Sequence, residues 1–103
     1  MSVTDKLNII ISERKIEVDK KYGKINSLHE GYALTLEELS ELNDELDQFK
    51  EHFECLWEGI RKNYIGPNNF YGNSLKKALV HAKLVASEVI DLIIVLERMN
   101  ELV

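Results

Sequence analysis

Apolar positions recur at helical spacing along almost the whole chain. Leu7, Ile10, Ile11 and Val18 form a stripe that predicts a first helix, with Thr4 as N-cap, an end near Tyr22 and Gly23 in the C′ place. Ser27-Leu28-His29-Glu30 and Thr35-Leu36-Glu37-Glu38 each have the form of a capping box, so a second helix has two candidate starts. Leu28, Tyr32, Leu36 and Leu39 keep to one face, which favours one helix running through Thr35 over a break near Gly31. From there the steps alternate between three and four: Leu39, Leu42, Leu46, Phe49, Phe53, Leu56, Ile60. That is a coiled-coil-like seam. The pattern fades at Asn63 and Tyr64, and residues 65–73, with Gly66, Pro67 and Gly72, read as the one clear loop. Asn73 or Ser74 is expected to cap a third helix through Leu75, Leu79, Ala82, Val85, Val89, Leu92, Leu96 and Met99.

The fold class that follows is all-α: three main helices, one of them long, in a single domain spanning 1–103. The long helix would measure roughly 45–55 Å at about 1.5 Å per residue. A compact monomer of about 100 residues has a radius of gyration near 13 Å. Between Val89 and Leu96 the third helix is apolar nearly all round, and such a helix needs neighbours on all sides. Both features predict a helical bundle completed by oligomerisation, as a homodimer or homotetramer.

Composition narrows the partners. A net charge of −5 argues against a general electrostatic grip on nucleic acid or anionic lipid. Cys55 is alone, which fits a reducing compartment, and reads as a packing residue. The N-terminus goes straight into an amphipathic pattern with charges, unlike a signal peptide. The apolar run near the C-terminus is broken by Glu88, Asp91, Glu97 and Arg98 and falls short of the roughly 20 residues that span a bilayer. The expectation is a soluble, cytoplasmic protein without membrane or nucleic-acid partners.

Candidate chemistry lies in two carboxylate pairs, Glu38 with Glu41 and Glu88 with Asp91. Residues three apart share a helical face, so Glu88 and Asp91 place an acidic spot on the most apolar helix. Burying unpaired carboxylates costs several kcal/mol. A hard divalent cation held between two such pairs would offset that cost, with Mg²⁺ the first candidate and Mn²⁺ a second. Glu45 lies one turn beyond Glu41, and Glu37 borders the group as a base or hydrogen-bond acceptor. A solvated acidic face is the ordinary alternative for the residues between 37 and 45. His29, His52 and His81 do not fall in the Glu-x-x-His frame of di-iron bundles. His52 is expected on the outer side of the long helix, and His81 as packed, solvated or a partner to the acidic group. No glycine-rich phosphate loop, Ser/His/Asp pattern or Cys-x-x-Cys occurs, so a hydrolase here would be metal-based.

Glu13-Arg14, Asp19-Lys20-Lys21-Tyr22-Gly23, His29-Glu30-Gly31-Tyr32-Ala33, Leu36-Glu37-Glu38-Leu39-Ser40-Glu41-Leu42 and Glu88-Val89-Ile90-Asp91 follow in order. This series resembles the MazG-like all-α nucleoside triphosphate pyrophosphohydrolases, in particular the short versions found in phages and prophages. The family carries E-E-x-x-E on one helix and E-x-x-D on a later one, binds magnesium with them, and activates water to cleave a nucleoside triphosphate to monophosphate and pyrophosphate. The resemblance implies Glu38, Glu41, Glu88 and Asp91 as metal ligands, with Glu37 and Glu38 as catalytic residues. Lys20, Lys21 and Lys24 are candidates for the triphosphate and Tyr22 or Tyr32 for the base, with a solvated lysine run and core aromatics as the default. Arg61, Lys62, Lys76, Lys77 and Lys83 are alternatives at the far end. The rival expectation is a non-catalytic helical protein that assembles through its seam, with a degenerate metal site.

One departure concerns register. With a loop centred near residue 69, Glu41 lies about 28 residues before it and Glu88 about 19 after it. Simple hairpin pairing would leave the two offset by two to three turns. An asymmetric loop, a bent helix or a dimer interface would be needed to bring them together.

Overall fold

The computed structural model describes residues 1–103, and the chain is helical almost throughout: α1 (Val3–Tyr22), α2 (Leu28–Arg61) and α3 (Phe70–Asn100). There is no strand. No helix is long and apolar enough to cross a membrane.

The ends of the helices are set by side chains that satisfy otherwise orphaned backbone groups. α1 begins at Ser2, two residues before the expected Thr4. The Ser2 hydroxyl accepts from the Asp5 amide at 3.1 Å, and the Asp5 carboxylate accepts from the Ser2 amide at 3.3 Å. Thr4 has no such reciprocal partner, because Leu7 stands three residues on. The helix closes at Gly23, whose φ of 74° lets its amide reach the Asp19 carbonyl at 2.9 Å. α2 uses the first of its two capping boxes: the Ser27 hydroxyl accepts from the Glu30 amide, and Glu30 accepts from the Asn26 amide. Thr35 lies inside the continuous helix and turns its hydroxyl back to the Gly31 carbonyl at 2.8 Å.

The loop after α2 is shorter than the sequence pattern suggests, because α3 starts at Phe70 rather than at residue 73 or 74. Asn69 takes the capping role. Its Oδ1 accepts from the amides of Gly72 (2.8 Å) and Gly66 (3.1 Å), and its Nδ2 donates to the Tyr64 carbonyl (2.7 Å). Ser74 is a buried residue within the helix, with its hydroxyl on the Phe70 carbonyl.

The helices contribute to two compact units, residues 1–39 with 89–103 and residues 40–88. In the first, Ile11, Ile25, Ile94 and Val95 are the buried apolar side chains. Ile10, although it belongs to the expected stripe, is exposed, since a turn of about 100° per residue lets only Ile11 point inward. Gly31 is buried against Met99, and a Cβ there would collide with Met99 Cγ. In the second unit Ala78 is buried, Phe49 stacks on Phe53 and Tyr64 meets Tyr71 edge to face. Along the seam Leu42, Leu46, Phe49 and Leu56 are half-buried, while Phe53 and Ile60 remain mostly exposed.

Candidate metal centre

The residue-by-residue register of α2 and α3 follows from the early start of α3. Glu38 stands 23 residues before Arg61, the end of α2, and Asp91 stands 21 after Phe70, the start of α3. Near-equal distances from the connection bring these two carboxylates to the same level. Glu88, the last residue of the second unit, lies one turn before Asp91 on the same face of α3. One carboxylate oxygen of Glu38 lies within 4.8 Å of one of Asp91. All three side chains are half-buried, and the Oε2 atoms of Glu38 and Glu88 are shielded from solvent. A set of carboxylate oxygens on two rigid helices, with no sulfur or imidazole, suits a hard divalent ion such as Mg²⁺ or Mn²⁺.

Around the carboxylates is a cavity of about 520 Å³, whose wall includes Arg14, Tyr22, Glu37, Glu38, Asp91 and Arg98. Its size is in the range of small-molecule sites, about 300–1,000 Å³. The two arginines differ in how they are held. Arg98 is buried at 7% exposure; its Nε donates to Asp19 at 3.0 Å and its guanidinium also donates to the Gly23 carbonyl. Arg14 is half-exposed, with Nε 3.6 Å from Asp91 Oδ1 and Nη1 3.5 Å from Glu17.

Arg98 belongs to a clasp that fixes the end of α1. Lys15 bridges Glu101 and Asp19, the latter at 3.0 Å. The hydrogen bond from Lys15, seconded by Arg98, holds the Asp19 carboxyl below its ordinary range. Glu101 and then Asp19 hold the Lys15 ammonium above its own.

The remaining expected site residues fall in distinct places. Glu41 is exposed and lies outside the acidic group. Glu37 is exposed but lines the cavity, as does Tyr22. Lys21 lies over the Tyr22 ring at 5.1 Å and borders an adjoining hollow of about 260 Å³. Lys20, Lys24 and Tyr32 are exposed and not part of the cavity wall. Glu45 binds His81 Nδ1 at 2.8 Å instead of bordering the metal group, and His81 stacks on His52 at 5.3 Å. His52 is therefore half-buried, not on the outer side of α2. A larger hollow, about 650 Å³, lies along Glu51, Glu54, Cys55, Trp57 and Glu58, but it is a shallow surface of α2 alone without convergent donors.

Arg14, Arg98 and Glu30 are the charged cavity residues that the sequence reading did not place in the site. The available signal was spacing: Arg98 stands seven residues after Asp91, two turns along the same face. Compared with protein-family models, curated proteins and solved structures, the chain matches none.

Proposed function

We propose that the chain is a magnesium-dependent nucleoside triphosphate pyrophosphohydrolase of the MazG-like kind that its motifs resemble. The observation that supports this reading most is the approach of Glu38 and Asp91 at the wall of a cavity that also presents two guanidinium groups, with Glu88 one turn before Asp91 on α3. Glu38, Glu88 and Asp91 would hold the cation, and Mn²⁺ would substitute for Mg²⁺. Glu41, one turn along α2, is the fourth ligand that the resemblance implies. A bound Mg²⁺ supplies Lewis-acid polarisation of the phosphate and a lowered pKa for water. The protein's own part is to accept the proton of the attacking water at Glu37, to seat the base against Tyr22, and to meet the outer phosphates with Lys21, which borders the adjoining hollow, while Lys20 and Lys24 lie outside both. The local lysines and arginines are needed because the net charge of −5 repels a polyphosphate.

A screen of canonical and modified nucleoside triphosphates with Mg²⁺, read by chromatography of the products, tests the reading. Release of monophosphate and pyrophosphate is expected, with loss on the order of a hundredfold or more in Glu38→Gln and Asp91→Asn. Release of orthophosphate, or no turnover of any substrate, would contradict it.

A self-associated state belongs to the same proposal. The accessible surface is 7522 Å². A folded monomer of 11.9 kDa is expected to expose about 5,950 Å². The difference, about 1,600 Å², exceeds the roughly 800 Å² that each partner contributes to a standard interface. Exposed Phe53, Trp57 and Ile60 supply apolar area for it. The same surface favours the alternative reading, assembly without catalysis, if no cation is bound.

A further inference from the structure

Two arginines share one cavity, and only one is free to leave its partners. Arg98 is buried and fastened to Asp19 and to the Gly23 carbonyl. Arg14 is half-exposed and sits at 3.5–3.6 Å from both of its carboxylate partners. Those distances exceed the roughly 2.7–2.9 Å of a tight charge-assisted hydrogen bond. Arg14 also borders both the main cavity and the adjoining hollow beside Lys21 and Tyr22, so its side chain has room to move without disturbing α1.

We propose that Arg14 is a dual-purpose latch: it neutralises Asp91 in the metal-free protein and, when a divalent cation takes that carboxylate, turns into the cavity to bind substrate phosphate. This rests on the metal-dependent reading above. A guanidinium and a divalent ion compete for the same Asp91 oxygens, and the ion carries the greater charge. The displaced guanidinium is then a planar fork beside the cation, a geometry suited to phosphate oxygens. The latch thereby couples cation binding to substrate binding: the cation has to be in place before the phosphate ligand becomes available.

The test is calorimetric titration of wild type and Arg14→Gln with Mn²⁺, followed by titration with inorganic triphosphate at saturating Mn²⁺. Removing the competitor should raise Mn²⁺ affinity roughly fivefold. Removing the phosphate ligand should lower triphosphate affinity roughly tenfold. A merely structural role would weaken both, so the opposite signs in one variant are the signature. Unchanged or weaker Mn²⁺ binding in Arg14→Gln overturns the latch and leaves the metal site standing, as does unchanged triphosphate binding. Failure of both proteins to take up Mn²⁺ overturns the metal-dependent reading and the latch together.

Discussion

Arg98 carries more of the local structure than any other charged side chain, because it is buried and its partners lie at both ends of a turn. Replacing it with Ala would leave Asp19 Oδ1 and the Gly23 carbonyl without this donor, Asp19 keeping only Lys15; a loss of roughly 2–4 kcal/mol is expected in denaturant unfolding. Asp19→Asn should cost less, about 1 kcal/mol, because Asp19 is half-buried and Lys15 has Glu101 as a second partner. The pH dependence has a definite sign. Asp19 has a lowered folded pKa, so its contribution is complete above the ordinary Asp value of about 4 and drains away as pH falls through the lower folded value. The stability gap between wild type and Asp19→Asn should therefore be constant from about pH 5 to 7 and close in more acidic solution. Lys15, raised in the folded state, keeps its contribution below about pH 10 and loses it only at higher pH. At this scale Glu88 and Asp91 were legible in the sequence, since carboxylates on an apolar helix stand out, whereas Glu41, expected beside Glu38, is exposed and lies outside the acidic group. Arg14 was not, because a half-exposed arginine on an amphipathic helix looks like any solvated cation until Asp91 is placed opposite it.

The helices themselves were largely readable from periodicity, and the continuous α2 through Thr35 followed from one unbroken apolar face. Their starts were harder. Ser2 and Thr4, or Asn69 and Asn73, are equally good cappers by residue type, and only the position of the reciprocal partner or the backbone carbonyl separates them. The four-residue error at α3 had a consequence, since it displaced the hairpin centre and made the carboxylates seem out of register. Asn69→Ala should show the cap directly: three hydrogen bonds disappear and thermal stability should fall by about 1–2 kcal/mol, with Asn73→Ala close to neutral. Gly31 is a second test at this scale. Alanine is the better helix former by about 1 kcal/mol, yet Gly31→Ala should destabilise by roughly 1–3 kcal/mol because its Cβ meets Met99. Pairing it with Met99→Ala should recover part of the loss.

For the molecule as a whole, the chain carries more apolar side chains than it buries. Ile11, Ile25, Ala78, Ile94 and Val95 are its buried apolar residues, while Leu36, Leu39, Phe53, Trp57, Ile60 and Leu96 remain 38–58% exposed. Sedimentation equilibrium should report a dimer or tetramer at micromolar concentration, and Phe53→Glu with Trp57→Glu should shift it toward monomer; a wild-type monomer would remove the oligomer proposal. The acidic centre makes the more specific claim, that Glu38, Glu88 and Asp91 hold one divalent cation. Calorimetric titration of the wild type and Glu88→Gln with Mg²⁺ tests it most directly. One Mg²⁺ site per chain is expected in the wild type, weakened by on the order of tenfold or more in Glu88→Gln. No binding by the wild type, or equal binding by the two proteins, would contradict it.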